Sequence, residues 1–371
     1  MFRIEKVETS AQLREFVRFP LRIYSIDSPW VPPVWKEEMK RLAPEYGDFY
    51  RHSDAQLFLA RNKTGEPVGR IAAIRFNRHL KVYDDGVGFF GFFECIDDSA
   101  AAGQLFDAAK RWLREQGLAK MRGPTSFTIN EEIGLLIENF DDPPTLLTTW
   151  NPPYYQRLVE SVGLAKVEDL VARTMPIANI DPDYLQRLSK VVRRNKRVTV
   201  RQANLANMEN EIDILVKVYG EAWRENWGAV PISREEFEKL VHGLKPFLLP
   251  EYTLVAEYDS EPVGVSVSIP DINVAIKGCG GKFGPLGSIR FLFAKRQLTL
   301  IRVVMGGVLK PFRNRGVEAA LNFQTLDNLR ESRFKKIEFS WMLESNIGIQ
   351  RVLDILGVPT TKRWRVYEMD L

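Results

Sequence analysis

The stretch Glu66-Pro67-Val68-Gly69 occurs a second time as Glu261-Pro262-Val263-Gly264, 195 positions further on. A second pair of markers keeps that spacing. Asn151 precedes a helical stretch that ends near Gly163, and Asn346 precedes one that ends near Gly357. Two markers displaced by one distance point to a single fold built twice in tandem, with a first copy over 1–177 and a second over 178–371. A chain of 371 residues suits two cores of ordinary size.

Outward from the repeated tetrapeptide, both copies show one order of elements. In the first copy, residues 55–61 and 68–76 read as strands joined by the Thr64-Gly65-Glu66-Pro67 turn. A strand at 2–7 and helices at 11–25 and 33–43 precede them. A strand at 86–96, a helix at 100–116 stopped by Gly117, a strand at 120–125, a helix at 153–162 and a strand at 165–173 follow. The second copy reads as strand 198–201, helix 208–225, a helix started by the capping box Ser233/Glu236, and the hairpin 252–258/263–269. Strand 298–309, helix 317–330, strand 336–342, helix 347–356 and strand 364–371 complete it. The expected class is α/β, with a mixed sheet in each copy.

Composition narrows the function. Hydrophobic content of 45%, charged content of 27% and a net charge of +4 describe a globular chain without the concentrated basic face of a nucleic-acid binder. Cys95 and Cys279 fall in different copies, and His52, His79 and His242 show no ligand spacing, so no metal is expected. Neither a signal peptide nor an uninterrupted apolar span is legible, and the expected location is the cytoplasm. The basic residues between 186 and 201 read as a solvated helix face joining the copies. No G-x-x-x-x-G-K-[ST], H-E-x-x-H or G-x-S-x-G motif occurs.

The chemistry-bearing stretch runs from Leu309 to Leu321, between a strand and a helix. Successive backbone amides at such a loop, with the positive end of the helix, form an anion site. Gly316 admits close approach of a ligand, and Arg313 and Arg315 match a pyrophosphate. Ahead of it, Met305-Gly306-Gly307-Val308 puts two glycines inside an apolar strand, which marks either a bulge or tight helix packing. A bulge would part this strand from 336–342 and free an amide for a developing oxyanion. In the first copy the equivalent stretch begins Cys95-Ile96-Asp97-Asp98, whose acids would repel a pyrophosphate.

This order of elements resembles the GCN5-related N-acyltransferases (GNAT). Their pyrophosphate loop reads Arg/Gln-x-x-Gly-x-Gly/Ala, and Arg313, Gly316 and Glu318 take those places, the third departing from the pattern. Asn346 and Gly357 match the family's second motif, while Leu353 stands where the family often has a thiolate-protonating tyrosine. Trp30-Val31-Pro32-Pro33, Gly123-Pro124, Asn130-Glu131-Glu132, Asn226-Trp227-Gly228 and Ser340-Trp341-Met342-Leu343-Glu344-Ser345-Asn346 resemble a tandem branch that includes bacterial ceramide synthase.

The resemblance implies an acyl-CoA-dependent N-acyltransferase. Acyl-CoA would lie on Gly306, Gly307, Val308, Arg313, Asn314, Arg315, Gly316, Val317 and Asn346. The acceptor is an amine, with a long-chain sphingoid-type base as one choice. A soluble amine acceptor and a non-catalytic CoA-binding relative stay open as alternatives. A carboxylate must take the amine's proton, with Glu344 the first candidate and Glu132 the second. Tyr154 or Tyr155 could replace the missing acid. Asn226, Trp227, Trp341 and Tyr155 are expected to line the acceptor pocket. The glycine-rich, then apolar and basic segment 278–296 has no counterpart in the first copy. It reads either as a flap with Phe291, Leu292 and Phe293 touching lipid at the inner face of a membrane, or as a buried apolar strand behind a loop.

Overall fold

The protein is described from a computed structural model over residues 2–282 and 285–371. Its organising feature is one sheet that runs through both copies. From one edge the first five strands are Arg3–Lys6, Asp54–Arg61, Pro67–Arg75, Val87–Cys95 and Lys120–Gly123. From the other edge the same series is Val198–Gln202, Thr253–Tyr258, Glu261–Pro270, Leu300–Val308 and Lys336–Leu343. The repeated tetrapeptide starts the third strand of each series. In both, the third and fourth strands pair antiparallel and the fourth and fifth pair parallel.

The two series meet through exchanged closing strands. Ala165–Pro176, from the first copy, pairs with Lys336–Leu343 of the second. The final strand, Thr360–Asp370, pairs with Lys120–Gly123 of the first. These two closing strands also pair with each other, antiparallel from Thr360/Arg173 to Glu368/Ala165. Side chains reinforce the seam. Arg365 clamps Asp169 through Nε at 2.9 Å and Nη2 at 3.0 Å. Trp364, 1% exposed, donates its indole N–H to the Thr149 carbonyl at 2.9 Å.

Helices cover both faces, and their apolar stripes explain where they lie. Ser99–Glu115 buries Leu105, Phe106, Ala109 and Leu113 against the first series. Met208–Ala222 and Arg234–Leu244 bury Ile212, Leu215, Phe237 and Val241 against the second. The expected capping box starts the latter helix, with Ser233 Oγ accepting from the Glu236 amide at 3.2 Å and Glu236 Oε2 accepting from the Ser233 amide at 3.0 Å. Glu236 is also bound by His52 and Arg78 of the first copy.

Segment 278–296 corrects its reading as a buried apolar strand. It continues the short helix Asn273–Gly278 into a helix over Pro285–Lys295, with Ile289, Leu292 and Phe293 exposed. Its turn is tied to the first copy, where the Trp35 amide donates to the Gly281 carbonyl at 3.3 Å and the Trp35 indole N–H to the Gly280 carbonyl at 2.9 Å. Phe283 and Gly284 lie outside the described residues.

Candidate functional site

Strands Leu300–Val308 and Lys336–Leu343 pair from Leu300/Lys336 to Val303/Phe339 and then part, forming a fork. On the far side of the first prong, Val267 faces Met305 and Ser268 faces Val303, so Val304 is an extra residue with no opposite number. This bulge tilts the prong away from its parallel neighbour. The irregularity falls two residues ahead of the glycine pair, and the two glycines have different causes. A Cβ on Gly307 would stand 2.4 Å from the Trp223 ring, so Gly307 lets the end of helix Met208–Ala222 lie close. A Cβ on Gly306 would meet nothing within 4 Å, and Gly306 faces the fork.

The fork opens into a cavity of about 730 Å³. Met208, Leu215, Phe237, Val241 and Leu244 make its apolar wall. The first copy reaches across to supply Ile129, Asn130 and Glu131 from strand Thr128–Ile133. Tyr219 Oη donates to Asn130 Oδ1 at 2.7 Å and ties the two copies at the cavity wall.

The equivalent fork of the first copy is closed by its own chain. A Cβ on Gly91 would fall 1.6 Å from the Thr125 carbonyl oxygen, so that segment fills the gap. Phe127 anchors it, stacked on Phe49 at 4.4 Å between centroids. The helix starts differ in the same sense. Asp98 Oδ1 accepts from the amides of Ala100 and Ala101 at 2.8 and 3.0 Å, which satisfies the first helix. Helix Val317–Arg330 starts at Gly316, whose φ of 83° suits glycine, and no side chain caps it. Its first-turn amides are therefore open to an anion, which suits the diphosphate of a CoA thioester.

The two arginines of this loop are placed differently from expectation. Arg313 donates to the backbone carbonyls of Val308 at 3.2 Å and Ala222 at 3.1 Å, because the prong ends beside the C-terminus of helix Met208–Ala222. The Arg315 guanidinium lies over the rings of Tyr258 and Phe312, 5.8 Å from each. Asn314 adopts a left-handed φ of 59°, and Asn195 Nδ2 donates to the Arg315 carbonyl at 2.7 Å.

Of the other residues singled out from sequence, Asn226, Trp227, Trp341 and Asn346 line the cavity. Glu344 does not. Lys166 Nζ holds its Oε2 at 2.9 Å and Arg363 binds Oε1, and these bonds lower its pKa, the opposite of what a base near neutrality needs. Tyr154 and Tyr155 stand in the core of the first copy, away from the cavity. Tyr154 Oη donates to the Cys95 carbonyl at 2.8 Å, and Tyr155, 1% exposed, donates to Glu94 at 2.7 Å. Leu353 is 1% exposed in the core beneath the fork.

Glu132 is raised in pKa by burial and accepts from Ser126 Oγ at 3.3 Å, but its neighbour Glu131 is the one on the cavity wall. Desolvation there raises Glu131 to about 7, against the pull of Arg41, which is ion-paired with it. Strict strand alternation would have separated Asn130 from Glu131, yet both line the cavity, so the period-2 rule gave no cue to it. Glu211 also lines the cavity, with Oε1 engaged by Arg201 Nη1 at 2.8 Å and the Asn204 amide at 3.0 Å. Glu209, Glu238 and His242 approach one another on the surface, but Arg234 donates to both carboxylates there.

No model of a known protein family matches the chain. It is 32% identical to Protein YghO of Escherichia coli (strain K12) over 366 residues, 97% of this chain and 93% of that protein. It is 32% identical to Bacterial ceramide synthase of Caulobacter vibrioides (strain NA1000 / CB15N) over 378 residues, 98% of this chain and 96% of that protein. Among solved structures, a tandem GNAT protein from the clavulanic acid biosynthesis pathway superposes with a TM-score of 0.55 at 10% identity, covering 100% of this chain and 98% of the other. A GCN5-related N-acetyltransferase from Sphaerobacter thermophilus gives 0.52 at 12% identity, covering 100% and 95%. At those identities the shared property is the fold. The repeated series of strands and the parted prongs agree with a tandem GNAT fold, and the full-length relatives show that the chain belongs to the family of Bacterial ceramide synthase and Protein YghO.

Proposed function

We propose that the protein transfers a long acyl group from a coenzyme A thioester to an amine, with a long-chain, sphingoid-type base as acceptor. The observation that carries this reading is the fork of the second copy, which opens into a deep apolar cavity with Glu131 on its wall. The uncapped start of helix Val317–Arg330 supports a diphosphate on the amides from Asn314 to Val317. Gly306, Val308 and Asn346 flank the path of the pantetheine arm. The apolar wall under helices Met208–Ala222 and Arg234–Leu244 suits hydrocarbon chains, while Asn226, Trp227 and Trp341 border the acceptor's polar end.

In this reading the amine nitrogen attacks the thioester carbonyl carbon, a C–N bond forms and the C–S bond breaks. Glu131, directly or through one water, takes the proton the amine loses, and the departing thiolate takes a proton from solvent. Arg41 holds the Glu131 carboxylate in place. Glu132, a step further back, keeps its place as an alternative base.

Calorimetry with a long-chain acyl-CoA tests binding, and thiol release across a panel of amines tests transfer. Thiol release that rises with the chain length of the amine supports the lipid acceptor. Equal turnover of short soluble amines selects a soluble acceptor instead. Binding without turnover of any amine would make the protein a CoA-binding relative, and no binding at all would remove the proposal.

The described residues include no helix long and apolar enough to cross a membrane. Exposed Ile289, Leu292 and Phe293 on helix Pro285–Lys295, with Arg290 and Arg296 alongside, support peripheral contact with an anionic bilayer from which a lipid acceptor would be drawn.

A further inference from the structure

One donor at the apex of the fork has no partner. Strand Leu300–Val308 is apolar except for Arg302, which is 3% exposed and lines the cavity. Arg302 precedes Val303, the last residue paired across the fork. Its Nε donates to the carbonyl of Ser340 at 3.3 Å, on the opposite prong and one residue past the last pair, so the guanidinium spans the fork where the strands separate. Among the described residues its Nη1 has no hydrogen-bond partner.

Two buried carboxylates, Glu338 and Asp271, offset the charge of Arg302, but neither gives its Nη1 a hydrogen bond. Glu338 Oε1 stands 4.0 Å from Arg302 Nε, and it accepts from the Thr145 hydroxyl at 2.7 Å and from the Ser340 hydroxyl. A buried charge with a spare donor is costly where a methionine or leucine would fill the same space without that cost. The donor becomes favourable if an oxygen of a bound molecule arrives at the apex. A thioester threaded between the prongs brings its carbonyl oxygen to this level, since the strands are closed beyond it.

We propose that Arg302 Nη1 donates to the carbonyl oxygen of the bound acyl thioester and stabilises the negative charge that develops there during attack by the amine. This rests on the acyl-CoA reading of the same fork. A fixed cation in a water-poor cavity acts strongly on charge that appears only in the transition state. It adds a side-chain donor to whatever backbone amide the Val304 bulge offers.

The test uses the full-length protein, a long-chain acyl-CoA and the matching S-alkyl-CoA thioether, in which a methylene replaces the carbonyl. Wild type is expected to bind the acyl compound more tightly than the thioether, and Arg302→Met to lose that preference. Its kcat should fall by about 10²- to 10³-fold, the usual cost of one oxyanion donor, with KM for acyl-CoA within a few-fold of wild type. Arg302→Lys retains the charge beside Glu338 and guards against a variant that fails to fold, which thermal unfolding would reveal. It should keep part of the carbonyl preference and an intermediate kcat. A folded Arg302→Lys or Arg302→Met enzyme with wild-type kcat and an unchanged thioester-to-thioether ratio overturns the assignment but leaves the acyl-CoA reading intact. A loss confined to KM for the amine also overturns it and moves Arg302 to the acceptor. Failure of wild type to bind acyl-CoA removes both.

Discussion

Glu131 shows how one side chain can be tuned by the wall it stands in. It is raised to about 7 because the cavity desolvates its charged form, and Arg41 offsets only part of that cost. The deprotonated form is the base. Activity should therefore be lost as pH falls through about 7, and the pH–rate profile should have a rising limb there. Glu131→Gln should lower kcat by about 10²- to 10⁴-fold, the usual range for a general base, and flatten that limb. Wild-type rates and an unchanged limb in Glu131→Gln would return the role to Glu132. Gly307 poses a different question at the same scale. Because a Cβ there meets the Trp223 ring, Gly307→Ala should destabilise the protein by about 1–3 kcal/mol, read from the urea midpoint at constant slope. Gly306→Ala, which meets nothing, should leave the midpoint unchanged and lower acyl-CoA affinity if the arm passes there.

At the level of elements, the start of helix Arg234–Leu244 couples a local cap to long-range contacts. Burial works against the Glu236 charge, but hydrogen bonds from Arg78, Ser233 and His52 outweigh it and bring its pKa down to about 2. A carboxylate depressed in the folded state contributes stability that is full above its unfolded value of 4.5 and is lost as pH falls toward about 2. Urea unfolding followed from pH 5 to pH 2 should show this loss, and Arg78→Gln should shrink it. Helix Pro285–Lys295 offers a second test at this scale. Replacing Leu292 and Phe293 with glutamate should reduce co-sedimentation with anionic vesicles and leave thermal stability unchanged, since both side chains are exposed. Equal sedimentation would remove the membrane contact.

For the whole molecule, the exchanged closing strands decide how the halves depend on each other. Each fifth strand, Lys120–Gly123 or Lys336–Leu343, is completed by a strand from the other half. We propose that 1–177 and 178–371 are two GNAT units that fold as one body. Expressed alone, 1–177 should lack a cooperative transition, because Lys120–Gly123 loses Thr360–Asp370 and leaves a bare edge. Co-expression of both pieces should restore one transition in urea. Independent, cooperative unfolding of each piece would sink this proposal.

Much of this arrangement was legible along the chain. The tetrapeptide repeat, the turn at Gly65, the Ser233/Glu236 box and the strand–loop–helix at Gly316 are local patterns, written by turn chemistry, capping and periodicity within a few residues. The contrast between Asp98 and Gly316 at two equivalent helix starts was legible for the same reason. The strand exchange was not, since either closing strand has the apolar pattern to fill either place. A bulge was one of two readings of the glycine pair, but its place at Val304 was not legible, since it depends on how Glu261–Pro270 registers beside it. Glu344, Tyr154 and Tyr155 carried the right chemistry for a site, but packing directed them to Lys166, Cys95 and Glu94. Glu131 gained significance only from its place on the cavity wall and Arg302 only from burial at the apex, and both are properties of the assembled cavity and of no segment alone. The amino-acid order by itself determined the twofold repeat and which half presents an open helix start. The tertiary structure alone decided which acid faces the fork and which cation spans it, since those depend on strands brought together from distant parts of the chain.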